Sequence, residues 1–162
     1  MNFLEITYHP IGIIYSPFKD IEGVPIQPSA AQGIKGTIKI KEEFIDGLKD
    51  LDGFSHIILV YHFHLSKEYS LSVVPFMDDT PHGVFATRAP KRPNAIGISI
   101  VKLIKIENNI LHIENIDIVD GTPLLDIKPF VREFDDLKEY RKGWLSERIN
   151  LLKEIKSDKR FK

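Results

Sequence analysis

The sequence predicts a mainly β chain, an antiparallel β-barrel followed by a short C-terminal helical appendage. Three observations predict it. Seven short runs rich in Ile, Val, Phe and Thr follow one another between residues 12 and 131, the composition expected of strands. Turn-forming Asn, Asp, Gly and Pro separate them. The broad helical stripe comes only after Asp135, so strands and helices do not alternate as in a wound α/β sheet. At 162 residues and 18.6 kDa the chain has the length of one domain, about 100–200 residues. We place the barrel at 1–134 and a basic helix or tail at 135–162.

The strands are expected at 12–15, 33–40, 56–64, 84–88, 96–106, 110–119 and 126–131. Between the second and third, Phe44, Ile45, Leu48 and Leu51 have helical spacing and predict a short helix over 42–51, ended by Asp52-Gly53. In the run 56–64 the two-residue period puts His56, Ile58, Val60, His62 and His64 on one face and Ile57, Leu59, Tyr61 and Phe63 on the other. Residues 66–83 form a long connection with Pro75, Pro81 and Asp78-Asp79, of the kind that is functional or mobile. Asn108-Asn109 joins two strands through residues that tolerate positive φ, a tight hairpin. Past Asp135, Trp144, Leu145, Ile149, Leu152 and Ile155 make an apolar stripe that caps the barrel or a partner subunit.

Composition narrows the chemistry. Without cysteine there are no disulfides, Cys-ligated metals or thiol nucleophiles, and a reducing cytoplasm fits. Residues 1–10 show no basic segment leading into an apolar one, and the longest strongly apolar run, 57–61, is far shorter than the ~20 residues that span a bilayer. A soluble, cytoplasmic chain with no membrane partner is expected. The net charge of −1 hides blocks: 80–106 holds five basic residues and no acid, 107–126 five acids and no base, and 137–162 nine basic residues against four acids. Arg88, Lys91 and Arg92 lie within five residues of one another, a cationic face suited to a polyanion or a solvated surface turn.

Three groups of residues carry chemistry. His62, His64 and Glu68 repeat half of a cupin metal motif, but the second half is missing, so no metal is assigned. In 85–97 a strand runs into a turn stiffened by Pro90 and Pro93, which holds Arg88, Lys91 and Arg92 on a backbone with little freedom. Such a turn suits a carboxylate or phosphate. In 117–130, Asp117, Asp120 and Asp126 flank the Gly121-Thr122-Pro123 turn, and Asp126 and Lys128 share one strand face. Glycine-rich nucleotide fingerprints and the hydrolase elbow are absent. Residue physics alone stops at a soluble barrel with a mixed-charge site.

Taken in order, Ile11-Gly12-Ile13-Ile14-Tyr15-Ser16-Pro17-Phe18-Lys19, Pro25-Ile26-Gln27-Pro28, Leu51-Asp52-Gly53-Phe54-Ser55-His56-Ile57, Phe63-His64, Phe85-Ala86-Thr87-Arg88 with Arg92-Pro93-Asn94, and Asp120-Gly121-Thr122-Pro123 with Asp126-Ile127-Lys128-Pro129 resemble the TsaA-like family, also called TrmO. The resemblance covers about residues 11–130. It implies a single-sheeted β-barrel and an S-adenosyl-L-methionine-dependent methyltransferase. The substrate implied is N6 of threonylcarbamoyladenosine at position 37 of tRNA, reached in the anticodon loop by a homodimer.

Carried over by motif, cofactor contacts fall at Gln27, Pro28, His64, Leu65, Arg88, Ile98, Gly121, Thr122, Pro123 and Leu124. Asp126 is the candidate base, and Lys91, Arg92, Asn94 and Lys128 are the expected substrate contacts. The turn 94–97 departs from the family pattern with Ala95 in place of a proline. A methyltransferase for another RNA or a small molecule, a non-enzymatic barrel binding a nucleotide-like ligand and, last, a cupin-like metalloenzyme are the alternatives.

Overall fold

In the computed structural model, which describes residues 4–161, the chain folds into eight strands: β1 (Gly12–Tyr15), β2 (Lys35–Ile40), β3 (His56–His62), β4 (Ser72–Val73), β5 (His82–Gly83), β6 (Ile96–Glu107), β7 (Ile110–Glu114) and β8 (Thr122–Pro129). Six close into one barrel in the order β1-β2-β7-β6-β3-β8, with every neighbouring pair antiparallel. Closure removes the unpaired strand edges that an open sheet would expose.

Alternation decides what fills the barrel. Ile14, Ile38, Ile40, Ile57, Leu59, Tyr61, Val101, Leu103, Leu111, Ile113 and Leu124 point inward, joined by Ile116 and Ile118 from the segment after β7. Two inward positions break the apolar pattern: Gly97 and Ser99 on β6, both buried. The β6–β7 hairpin turns at Asn108, whose φ of 54° is the left-handed conformation expected there. On β8, Tyr61 pairs with Leu124 and Val60 with Asp126, so Leu125 is an extra residue. This bulge keeps Leu124 and Ile127 on the core side while Asp126 and Lys128 face outward.

Four expected elements differ. Residues 84–88 are not a strand: Val84–Ala86 form a 3-10 turn. Their carbonyls are taken by side chains rather than by a neighbouring strand, since Arg92 Nη1 donates to Val84 O (3.0 Å) and Thr87 O (2.8 Å). The helix at 42–51 is two 3-10 segments, Glu42–Leu48 and Leu51–Gly53, separated by Asp50 with φ of 65°. Lys41 offers no capping oxygen and Gly47 weakens a helix interior. The run 110–119 stops pairing at Glu114 because Asn115 turns with φ of 68°.

The C-terminal helix is instead one α-helical turn, α1 (Arg132–Asp135), followed by 3-10 turns Gly143–Glu147, Ile149–Lys153 and Lys159–Phe161. Its apolar stripe is nonetheless used. The segment bridges back to Pro25 through Lys156. The Trp144 ring stacks on His82 at 4.4 Å and donates Nε1–H to Ala86 O. Arg148 pairs with Asp78 at 3.1 Å. The connection 66–83 is held by the same contacts: β4 and β5 pair within it, and Phe161, Val73, Val84 and Ala89 form a second small core with Phe76. Among the described residues no helix is long and apolar enough to cross a membrane.

Candidate cofactor and substrate cavity

The barrel end, the 3-10 turn at 28–30, the turn at 84–92 and the C-terminal segment enclose a cavity of about 1020 Å³, at the upper end of the ~300–1,000 Å³ usual for small-molecule sites. One wall is Gln27, Pro28 and Arg88. Another is Phe63, His64, Leu65 and Thr122, and the C-terminal segment supplies Trp144, Leu145, Ile149 and Leu152. Apolar walls with few polar groups are what an aromatic, polar-tipped ligand needs.

Arg88 donates Nη1–H to Gln27 Oε1 at 2.8 Å and, among the described residues, forms no salt bridge. A guanidinium held by a neutral amide keeps its full charge for an anion. The cavity wall also holds Tyr61 and Asp117, joined through Ser99 in a chain of three groups that are far apart in sequence. Ser99 Oγ donates to Asp117 Oδ1 at 2.7 Å, and the Tyr61 hydroxyl lies 3.1 Å from Ser99 Oγ. Because the serine proton goes to the carboxylate, the phenol donates to the serine oxygen. Burial pushes the Tyr61 phenol well above its ordinary value, the Asp117 charge adding to it, so it stays a donor. Burial likewise pushes Asp117 up to about 7, against the Ser99 hydrogen bond and the Arg88 charge, which favour the ionised form.

The other titratable groups of the wall differ. Burial, then the neighbouring His62, holds the His64 imidazole below its usual value. Thr122 Oγ1 donates to Val119 O at 2.7 Å, so toward His64 Nδ1, 3.3 Å away, it acts as acceptor. That leaves the proton on Nδ1 and the lone pair on Nε2. Asp158, bonded to Arg160 through Nε (3.0 Å) and its backbone amide, is held below the carboxylate range by those bonds.

Residues 13–136 match the family model described as the tRNA-methyltransferase O N-terminal domain. The chain belongs to this family. It is 56% identical over 158 residues to a probable S-adenosyl-L-methionine-binding protein of Pyrococcus abyssi, covering 98% of this chain and 86% of that protein. Over 133 residues it is 35% identical to the human tRNA (adenine(37)-N6)-methyltransferase, covering 78% of this chain but only 30% of that enzyme. Among solved structures, TrmO from Pseudomonas aeruginosa superposes with a TM-score of 0.74 at 36% identity, covering 87% of this chain and 63% of that one. The single-sheeted barrel expected from the family motifs is therefore the fold found.

Of the family-motif positions, Gln27, Pro28, His64, Leu65, Arg88, Ile98 and Thr122 come together on the cavity wall. Gly121, Pro123 and Leu124 are not part of it. Leu124 is fully buried in the barrel core, and Gly121, at φ of 76°, donates its amide to Ile14 O. Asp120 also has a structural task, accepting from the Ser16 amide (2.9 Å) and Lys19 Nζ (2.7 Å) and so pinning the end of β1. These bonds, that of Lys19 first, lower the Asp120 carboxyl.

Among the expected substrate contacts, only Arg92 reaches the wall. Its guanidinium also ties down the 84–87 turn and lies over Phe85 at 5.8 Å. Lys91 and Asn94 lie beside it in the same turn, outside the wall. Asp126 and Lys128 pair with each other at 2.7 Å on the outward face of β8, so one chain alone does not bring Asp126 to the cavity. Sequence reasoning missed Tyr61, Ser99 and Asp117 as a unit. The available signal was Ser99, a hydroxyl at an inward position of an otherwise apolar strand, which must find a buried partner.

Proposed function

We propose that the chain is an S-adenosyl-L-methionine-dependent methyltransferase acting on N6 of threonylcarbamoyladenosine at position 37 of tRNA, as a homodimer in the cytoplasm. Membership of the family and the names of its relatives support the activity, and the observation within this chain that carries it is Arg88. A guanidinium with no salt bridge among the described residues, braced by Gln27 on the wall of a cavity of this size, fits the carboxylate of the methionine moiety. Phe63, Leu65 and Ile98 offer apolar surface for the adenine. The bound cofactor supplies a methyl group already activated on a sulfonium. The protein's part is to hold the two reactants in line, to exclude water with the C-terminal segment, and to accept one proton.

On β6, Ile96, Ile98 and Ile100 line the cavity and are still 39–51% exposed together with Ile104, so a second copy of the chain laid over this strand would bury apolar surface and close the cavity at once. Lys91, Arg92, Asn94 and Lys128 are proposed as contacts to the anticodon-loop backbone.

Calorimetric titration tests the cofactor. Wild-type protein should bind one S-adenosyl-L-methionine per chain, and Arg88→Ala should weaken binding by at least tenfold, since a charge-assisted pair contributes about 1.5–3 kcal/mol. Equal affinity in the two proteins would remove Arg88 from the site. For the tRNA contacts, removing one cation that neutralises a phosphate should reduce the slope of log K against log salt by about 0.7–0.9. Lys91→Ala and Lys128→Ala report this while keeping the Arg92 bonds to Val84 O and Thr87 O. An unchanged slope in both would move the tRNA to another face.

A further inference from the structure

We propose that Asp117 is the group that takes the proton from the methyl-accepting nitrogen, with Ser99 and Tyr61 as its positioning residues. The inference rests on the methyltransferase reading above and supplies the acceptor that reading leaves open. The acceptor nitrogen lies between a purine ring and a carbamoyl carbonyl, and its lone pair is delocalised into both. It becomes an effective nucleophile as its proton leaves. The nitrogen–methyl bond forms, the methyl–sulfur bond breaks with its electron pair going to sulfur, and the N6 proton passes to a carboxylate oxygen of Asp117.

The geometry favours Asp117 over the other candidates. Asp117 and Asp158 are the two carboxylate residues of the wall, and Asp158 is tied to Arg160, with 2.8 Å between Nη2 and Oδ2. Asp117 forms no salt bridge among the described residues. Its side-chain partner among the described residues is the Ser99 hydroxyl, itself buried and backed by the Tyr61 phenol. That chain fixes the carboxylate through one oxygen without neutralising it. Taking up a proton removes a charge from a half-buried site. His64, by contrast, would have to become a cation there, which its burial opposes. Asp126 is not among the cavity-lining residues and is paired with Lys128. The raised Asp117 carboxyl also agrees with a base poised at neutral pH.

The test compares wild type, Asp117→Asn, Asp126→Asn and Ser99→Ala, all checked for folding by circular dichroism. Methylated nucleoside is counted by mass spectrometry, cofactor affinity is measured by calorimetry, and carboxyl carbons of the ligand-free protein are titrated by NMR. In wild type, kcat/KM should rise tenfold per pH unit and level off near pH 7, where one aspartate resonance of the ligand-free protein also titrates. Asp117→Asn should lose that resonance and at least 100-fold in kcat, with cofactor affinity within about threefold. Ser99→Ala removes a hydrogen bond that favours the ionised form, so it should move the rate midpoint to higher pH.

Several outcomes overturn the assignment. One is Asp117→Asn retaining kcat within threefold. A second is loss of cofactor binding with the pH profile intact, which would make Asp117 a cofactor ligand. A third is the drop in kcat appearing in Asp126→Asn instead. If wild type binds the cofactor but yields no methylated tRNA under any condition, the methyltransferase reading itself falls, and the assignment with it.

Discussion

Gly97→Ala should lower stability by about 1–3 kcal/mol, the usual effect of forcing a methyl into a filled core, and should damage the cavity floor at the same time. A Cβ at this position would stand 2.5 Å from Tyr61 Cζ and 2.8 Å from Phe63 Cζ. Both rings pack edge to face with centroids 5.4 Å apart, so neither can move without the other. For a chain of this size the destabilisation corresponds to roughly 2–4 °C in Tm per kcal/mol. The displaced Tyr61 ring should release its hydrogen bond to Ser99. Thermal unfolding by circular dichroism, with Gly47→Ala as the comparison, checks this. Gly47 has open space around it and an ordinary φ, so its substitution should change Tm by little or raise it. Equal Tm values for Gly97→Ala and wild type would show that the rings find another arrangement.

That position illustrates what the sequence makes legible. The two-residue period of Ile57, Leu59 and Tyr61, the Asn108 turn and the run ahead of Tyr15 are local signals, and strand and hairpin physics reads them correctly. At 84–88 the same pattern misleads. The residue types suit a strand, but no strand edge is available there, and Arg92 satisfies the carbonyls from within the turn. The tail shows the same limit. Trp144, Leu145, Ile149 and Leu152 do face one environment, but it is a curved cavity wall. Gly143, at φ of 57°, and contacts to Pro25, Asp78 and Ala86 bend the segment over it, where a straight helix would leave it.

The site divides in the same way. Family motifs located Gln27 and Arg88, which are 61 residues apart and meet at 2.8 Å. They also led to Gly121 and Leu124, whose place in the motif reflects the joint between β1 and β8. The sequence places Asp117 among the acids that flank the 121–123 turn, but nothing local ties it to Ser99 or Tyr61. Its partners stand 18 residues away at Ser99 and, from there, a further 38 at Tyr61. The pairing of β3 with β6 and of β6 with β7 brings these three together.

Asp117→Asn is expected to make the protein more stable at pH 8 and nearly unchanged in stability at pH 4. The sign follows from the shift. The folded protein holds this carboxyl near 7 against 3.8 in the unfolded chain, so between those values the native state binds more protons than the unfolded one. Stability therefore falls as pH rises from about 4 to 7 and is flat above that. Three units at about 1.4 kcal/mol each set an upper bound of about 4 kcal/mol. Asp78 acts in a separate window. The His82 hydrogen bond, chief among its contacts, holds its carboxyl near 2, so its contribution is present above pH 4 and disappears only below that. Comparing wild type with the asparagine variant cancels the groups they share, among them His64, whose lowered value adds stability as pH rises toward 6.5. The wild-type Tm minus the variant Tm should be near zero at pH 4 and fall steadily toward pH 8. A difference that stays level from pH 5 to 8 would mean that the carboxylate ionises without penalty. The fold would then have no reason to hold it ready for a proton. A falling difference would show a carboxylate kept at the expense of stability, as expected where a group serves the reaction rather than the core.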